Sequence, residues 1–347
     1  MDEHTHLIAD DQAEGSLEAG HSPAAIAVSA APAARAGAQA TVDIAWLSTR
    51  SEHWPRPPNS GEPLHGVSNL LFGVGTGGAG WLARLAHSSW FAGLEPQAED
   101  LAISGGAPCG RWAMPDARGA RTDTDDDAQA EAFLASEPLP SAWHAAVAVP
   151  HGAGLAEQAA ALGLVGALRT RRDPGGRALG VVVTVDASPC AATDAYVRSL
   201  LDKGAFVVRP GVGAAGDHLH HLPVRTLTYP REGHLICVDF ADYMYIWRPG
   251  RVADLHVIPF ARGDAGHALR GVPLPAERSV RALSIGFHLD PDAPGQGLVE
   301  IDRFATVCRE LLLAPDGDVV FTDLERLDGV TGSVDLLLIH EGTETGG

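Results

Sequence analysis

The chain is predicted to be α/β, a Rossmann-like parallel sheet followed by a smaller α+β unit. Two observations predict this. From residue 67 to about 209, short apolar runs alternate with helix-length segments, and the runs are near-continuous in Val, Ala and Leu. Strands covered on both faces read that way, whereas strands with one wet face alternate apolar and polar. Beyond Pro210 the rhythm breaks, and apolar runs return around a single amphipathic helix, the pattern of a mixed sheet. The division expected is a low-complexity, disordered arm at 1–66, a Rossmann-type domain at 67–233, an α+β domain at 234–340 and a polar tail at 341–347.

The arm is acidic, then Ala-rich, then Pro-rich at Trp54-Pro55-Arg56-Pro57-Pro58, too poor in large apolar residues to pack a core. Within it, Thr41 to Leu47 is expected as one short strand docking on the body. Val67 to Gly73 reads as a buried strand, and Trp81 to Trp90 as a helix opening after a glycine-rich turn. Asp125 to Leu134 is helical, with its acidic residues at the start where the helix dipole favours them. Trp143 to Val149, Ala178 to Val185 and Ala205 to Arg209 are strands, separated by helices at Leu155 to Leu168 and Thr193 to Lys203. Gly211 to Gly233, rich in Gly, Pro and His, shows no clear helix. Leu235 to Phe240, Leu255 to Phe260, Arg281 to Leu289, Asp318 to Asp323 and Ser333 to Ile339 are the remaining apolar runs, with a helix at Asp302 to Leu312.

The 347 residues carry 25 Lys+Arg against 44 Asp+Glu, a net charge of −19. Such a balance excludes a basic nucleic-acid face and electrostatic docking on anionic lipid. No apolar run approaches the ~20 residues of a bilayer span, and Met1-Asp2-Glu3-His4 is no export signal. A soluble, cytoplasmic protein without direct membrane insertion is expected. Its four cysteines (Cys109, Cys190, Cys237, Cys308) are far apart, form no CxxC pair, and read as reduced, buried thiols. Lys203 is the only lysine, a usage that fits a GC-rich bacterial source.

Four constellations could carry chemistry. Gly73-Val74-Gly75-Thr76-Gly77-Gly78-Ala79-Gly80 lies between a strand and a helix and contains GxGxxG, with Glu95 about twenty residues on. Such a turn either cradles phosphate with its backbone N–H groups or packs helix tightly on strand. His151-Gly152-Ala153-Gly154 ends the next long strand and is either a second wall of one phosphate crevice or a plain tight turn. In Cys237-Val238-Asp239-Phe240-Ala241-Asp242 the two carboxylates are placed to orient a water or hold a cation near a phosphate, unless Asp239 caps a helix. His218-Leu219-His220-His221 lacks a Cys or carboxylate at zinc spacing and is expected to be a solvated loop; no metal site is assigned.

Together these elements resemble the tubulin/FtsZ superfamily over roughly residues 67 to 340, nearer its FtsZ branch. Gly75-Thr76-Gly77-Gly78-Ala79-Gly80 is similar to that family's first phosphate loop, GVGGAG. His151 to Gly154 stands where its glycine-rich signature loop follows the fourth strand, and Leu235-Ile236-Cys237-Val238-Asp239-Phe240-Ala241-Asp242 is similar to its synergy loop, LINVDFAD. The resemblance implies GTP, with Mg2+ as a candidate companion, on Gly75, Gly77, Gly78, Ala79, Gly80 and His151, Gly152, Ala153, Gly154. It also implies head-to-tail assembly with itself or another FtsZ-like subunit, in which Asp239 and Asp242 of the next subunit polarise the attacking water. Three departures stand beside it. Leu82 replaces an asparagine, Cys237 replaces the asparagine of the synergy loop, and the long helix before that loop is shortened or absent. A scaffold or assembly partner without GTPase activity is therefore the competing expectation, and an NAD(P)-dependent oxidoreductase on the same glycine turn a more distant one, since no Tyr-xxx-Lys pair supports it.

Overall fold

The apolar runs at 145–149 and 181–185 are fully buried and form the middle of a twisted sheet. The computed structural model describes residues 41–51, 67–86, 110–113, 123–137, 139, 141–188, 190–227, 246–260, 269–273, 280–289, 298–326 and 332–342. Among them are ten strands: β1 (Thr41–Ser51), β2 (Val67–Val74), β3 (Gly110–Ala113), β4 (His144–Val149), β5 (Gly180–Val185), β6 (Phe206–Pro210), β7 (Arg251–Pro259), β8 (Val280–Leu289), β9 (Leu313–Arg326) and β10 (Ser333–Glu341). The described helices are α1 (Gly75–Ala86), α2 (Asp123–Ser136), α3 (Leu155–Thr170), α4 (Ala191–Asp202), α5 (Gly216–Leu227) and α6 (Leu298–Leu312).

All ten strands join one sheet in the order β3-β1-β2-β4-β5-β6-β7-β10-β8-β9. Strands β2, β4, β5, β6 and β7 are mutually parallel, as the crossover helices between the first four require. β1 docks antiparallel on β2 and in turn carries β3. At the other end β10 lies antiparallel between β7 and β8, and α6 crosses from β8 to a parallel β9. The α/β class with a parallel sheet leading into a mixed one is thus as the sequence predicts, and the strand expected at Thr41 is present.

Residue parity along the strands divides the core. On one face α2, α3 and α4 cover Phe72, Val147, Val149 and Val183. α2 enters through four aspartates, and its Asp127 ion-pairs with Lys203 at the end of α4, 2.7 Å from Nζ. On the opposite face α1 and α5 cover Leu71, Ala146, Val182 and Phe206. That second core runs on without a break over Leu255, Leu337 and Ile339. Farther along the first face α6 buries Phe304 against Phe260 and Phe287, edge to face at 5.7 and 5.8 Å. The two stretches of sheet meet where β6 pairs β7 from Val207↔Val252 to Pro210↔Leu255, and Arg209 grips Asp254 with both Nε (2.9 Å) and Nη2 (3.1 Å).

Several expectations need correction. The first helix begins at Gly75 rather than Trp81, because Gly75 turns the chain with φ +70° and the glycine run itself winds the opening turn. A helix, α5, occupies 216–227 where composition suggested none. Its Leu219 and Leu222 are buried one turn apart, and this amphipathic spacing overrides the weak propensities of His and of Pro223 inside the helix. α6 starts at Leu298, and β7 and β9 extend to Arg251 and Leu313, beyond the apolar segments that marked them. Cys308 is buried, which pushes its thiol pKa up, but Cys190 is exposed. No helix among the described residues is long and apolar enough to cross a membrane. The boundary expected at residue 233, most of the 1–66 arm and the segment 235–240 lie outside the described residues.

Candidate functional site

β2 and β4 are parallel neighbours, paired from Asn69↔His144 to Gly73↔Ala148. After β2 the chain turns to one face as α1, and after β4 it turns to the other as α3. A crevice opens between two such turns, outside the carboxyl ends of the strands, where open α/β sheets bind their ligands. Here the first turn requires glycine for its close contacts, and the second carries Gly152 and Gly154 with open space around them. A Cβ on Gly78 would come within 2.7 Å of the Gly73 carbonyl carbon, and one on Gly77 within 2.8 Å of Pro150 Cβ. The first turn therefore folds onto itself and touches the second only because no side chain intervenes. Gly75 is buried, whereas Thr76 and Gly77 are exposed. The opening N–H groups of a helix have no intrahelical partner, so they are available to an anion.

The second turn, Pro150 to Gly154, closes with the Ala153 N–H donating to the Pro150 carbonyl at 3.3 Å. Gly154 is the N-cap of α3 and has no side chain to offer, so capping comes from inside the helix: Glu157 Oε2 accepts from the Gly154 N–H at 2.8 Å. The other Glu157 oxygen packs on the first turn, where a Cβ at Gly75 would fall inside the carboxylate. Beside the crevice, at the end of β5, the Asp186 N–H donates to Val149 O at 3.0 Å. Its nearly buried carboxylate accepts from the Gly216 N–H at 3.1 Å, capping α5.

Helix α5 ties this edge to the rest of the sheet. His220 Nδ1 lies 2.6 Å from Thr184 Oγ1 of β5, and its ring packs 5.5 Å from that of Trp81 in α1. Burial holds the His220 pKa down at about 4, so the imidazole is neutral at neutral pH. Arg84 of α1 grips both oxygens of Asp217, at 2.8 and 2.6 Å, and this hydrogen bonding lowers the aspartate's pKa and raises the arginine's. His218 Nε2 sits 2.8 Å from one oxygen of Asp335 on β10, and His288 Nε2 sits 3.1 Å from the other. His218 to His221 is therefore helical and docked, not a solvated loop: Leu219 and His220 are buried, and His218 is held by a carboxylate from a distant strand. Among the described residues no group of three or more His, Cys, Asp or Glu side chains is placed to hold a metal ion.

Of the residues singled out from the sequence, Gly75, Gly77, Gly78, Ala79 and Gly80 form the first turn of α1. His151, Gly152, Ala153 and Gly154 form the turn against it. Asp239 and Asp242, with Cys237 and Glu95, lie outside the described residues. Leu82 is fully buried in the core beneath α1 and faces the sheet rather than the crevice. Two carboxylates at the edge were not anticipated. Glu157 had a legible signal, an acid three residues after an N-cap. Asp186 had none, since its role depends on α5 returning to β5.

No protein-family model and no curated protein matches the chain. Among solved structures it is similar to a variant of FtsZ from M. jannaschii, at 16% identity over 64% of this chain and 70% of that one, TM-score 0.44. It is also similar to TubZ of Bacillus thuringiensis serovar israelensis in a GTPγS-form protofilament, at 12% identity over 78% and 85%, TM-score 0.49. A third likeness is to CetZ from Methanosaeta thermophila, at 14% identity over 78% and 85%, TM-score 0.48.

Proposed function

We propose that this chain is a divergent FtsZ/tubulin-like protein that binds guanine nucleotide in the crevice between the β2–α1 and β4–α3 turns and assembles with itself head to tail. On this reading hydrolysis is completed in trans by Asp239 and Asp242 of the neighbouring subunit. The protein acts in the bacterial cytoplasm as a cytoskeletal or cell-division component. The observation that carries the reading is the meeting of two glycine-built helix starts at adjacent strands whose helices leave to opposite faces. Glycine at 73, 75, 77 and 78 lets the two turns pack directly on one another, since a Cβ at any of them would meet protein atoms, and it leaves Thr76 and Gly77 exposed at the start of α1, where a phosphate chain would lie. Gly75, Gly77, Gly78, Ala79, Gly80 and the turn from His151 to Gly154 would hold the phosphates through backbone N–H groups, with Mg2+ neutralising their charge. A heterologous contact of this kind does not close, and so gives filaments.

Purified protein tests the reading. Labelled GTP should bind, turnover per molecule should rise with protein concentration, and Asp239→Ala should abolish turnover while leaving binding intact. Absence of GTP binding rejects it. A second reading, a scaffold or assembly partner of the same fold without GTPase activity, is favoured by buried Leu82 and by Cys237, which stand where the family resembled carries asparagines. A melting temperature that rises with GTP concentration, without turnover at any protein concentration, identifies that case.

A further inference from the structure

We infer that Glu157 is a resident anion in the crevice, a plug that an incoming nucleotide phosphate must displace, and that it sets nucleotide affinity. The inference rests on the nucleotide reading of the site. Glu157 sits three residues into α3, half-buried, with Oε2 bonded to the Gly154 N–H at 2.8 Å and its other oxygen packed on Gly75. Its carboxylate thus bridges the two glycine turns. No Arg, Lys or His pairs with it among the described residues. Instead it is held as a bound anion is held, by a backbone N–H and by the positive ends of two helices, α1 and α3.

Two anions do not share one such seat. A phosphate placed between the turns meets the carboxylate at contact distance, and even with water-like screening two like charges about 4 Å apart weaken binding roughly fivefold. Loading therefore requires Glu157 to rotate outward. It gives up one backbone hydrogen bond, which the phosphate replaces. The cap of α3 is exchanged for the ligand, so the helix start and the ligand site are occupied alternately by one side chain and one phosphate.

The test uses the full-length protein, titrated calorimetrically with GTP and separately with inorganic phosphate, in wild type, Glu157→Gln and Glu157→Ala, with melting temperatures measured in parallel. Glu157→Gln keeps an oxygen for the Gly154 N–H but gives up the charge facing the two helix starts, and should tighten GTP binding about fivefold or more with a smaller loss of melting temperature than Glu157→Ala. Glu157→Ala should lower the melting temperature by loss of the cap yet still tighten binding. A purely structural role would weaken both together. Equal affinity in wild type and Glu157→Gln, or weaker affinity in the variant, overturns the plug while leaving the nucleotide site standing. Binding by none of the three proteins overturns both.

Discussion

His144 and His220 are both 3% exposed, and both titrate near 4 instead of 6.5. For His144 burial is the main cause, the Arg177 charge adds to it and Asp173 opposes it. For His220 burial again leads, opposed by Asp186 and Asp217 and reinforced by Arg84. Both rings are neutral in the native state down to pH 4, whereas in the unfolded chain they take up protons below about 6.5. Between these values the unfolded state binds more protons, so stability falls as the pH falls through that window and is level above it. At pH 5 each histidine removes about 2 kcal/mol relative to pH 8, and the two together about 4 kcal/mol. That is a large part of the ~5–15 kcal/mol that ordinarily holds a domain folded. Urea titrations at pH 8, 7, 6 and 5 measure it directly. His144→Leu should remove about half of the fall between pH 8 and 5, because it deletes one of the two titrating rings, whose buried Nε2 has no hydrogen-bond partner. A total fall of less than about 1 kcal/mol, or an undiminished fall in His144→Leu, would refute the argument from burial.

The glycine edge and the second core give sharper mutational contrasts. Gly78→Ala drives a Cβ to 2.7 Å from one backbone carbon and 3.2 Å from the Ala148 carbonyl oxygen, and should destabilise the fold by roughly 1–3 kcal/mol in the urea midpoint. Gly152→Ala meets nothing within 4 Å and bears only the strain of φ +73°, about 1 kcal/mol, so the order of the two variants tests whether close approach governs this edge. Phe304→Ala empties a site touched by Phe260 and Phe287 and should lower stability by about 3–5 kcal/mol, read as a drop in melting temperature.

The parallel half of the sheet was legible because its strands are buried on both faces and must be apolar throughout, as at Ala145 to Val149 and Val181 to Val185. The glycine turns were legible for a related reason: the close contacts of Gly73, Gly77 and Gly78 admit no other residue type. Helix α5 was not legible, because its composition of Gly, His and Pro argues against a helix and only the burial of Leu219 and Leu222 supports it. The fates of its histidines were hidden as well. His218 finds its carboxylate 117 residues away, and His220 its hydroxyl 36 residues back, partners that only the tertiary fold supplies. Glu157 was overlooked because the sequence marks it as an ordinary capping acid, while its second contact depends on the turn of another strand.

The ladder between β6 and β7 has a consequence for any attempt to divide the molecule. Severing the chain after α5 would strip β6 of its neighbour β7 while leaving it paired with β5, opening to solvent the backbone groups between Val207 and Pro210 that face β7 and the carboxylate-binding side of Arg209. The same cut would uncover Phe206 and Val208, which share one core with Leu255, Leu337 and Ile339. A fragment ending there would carry a raw strand margin beside bare apolar surface, the combination that recruits other chains into aggregates.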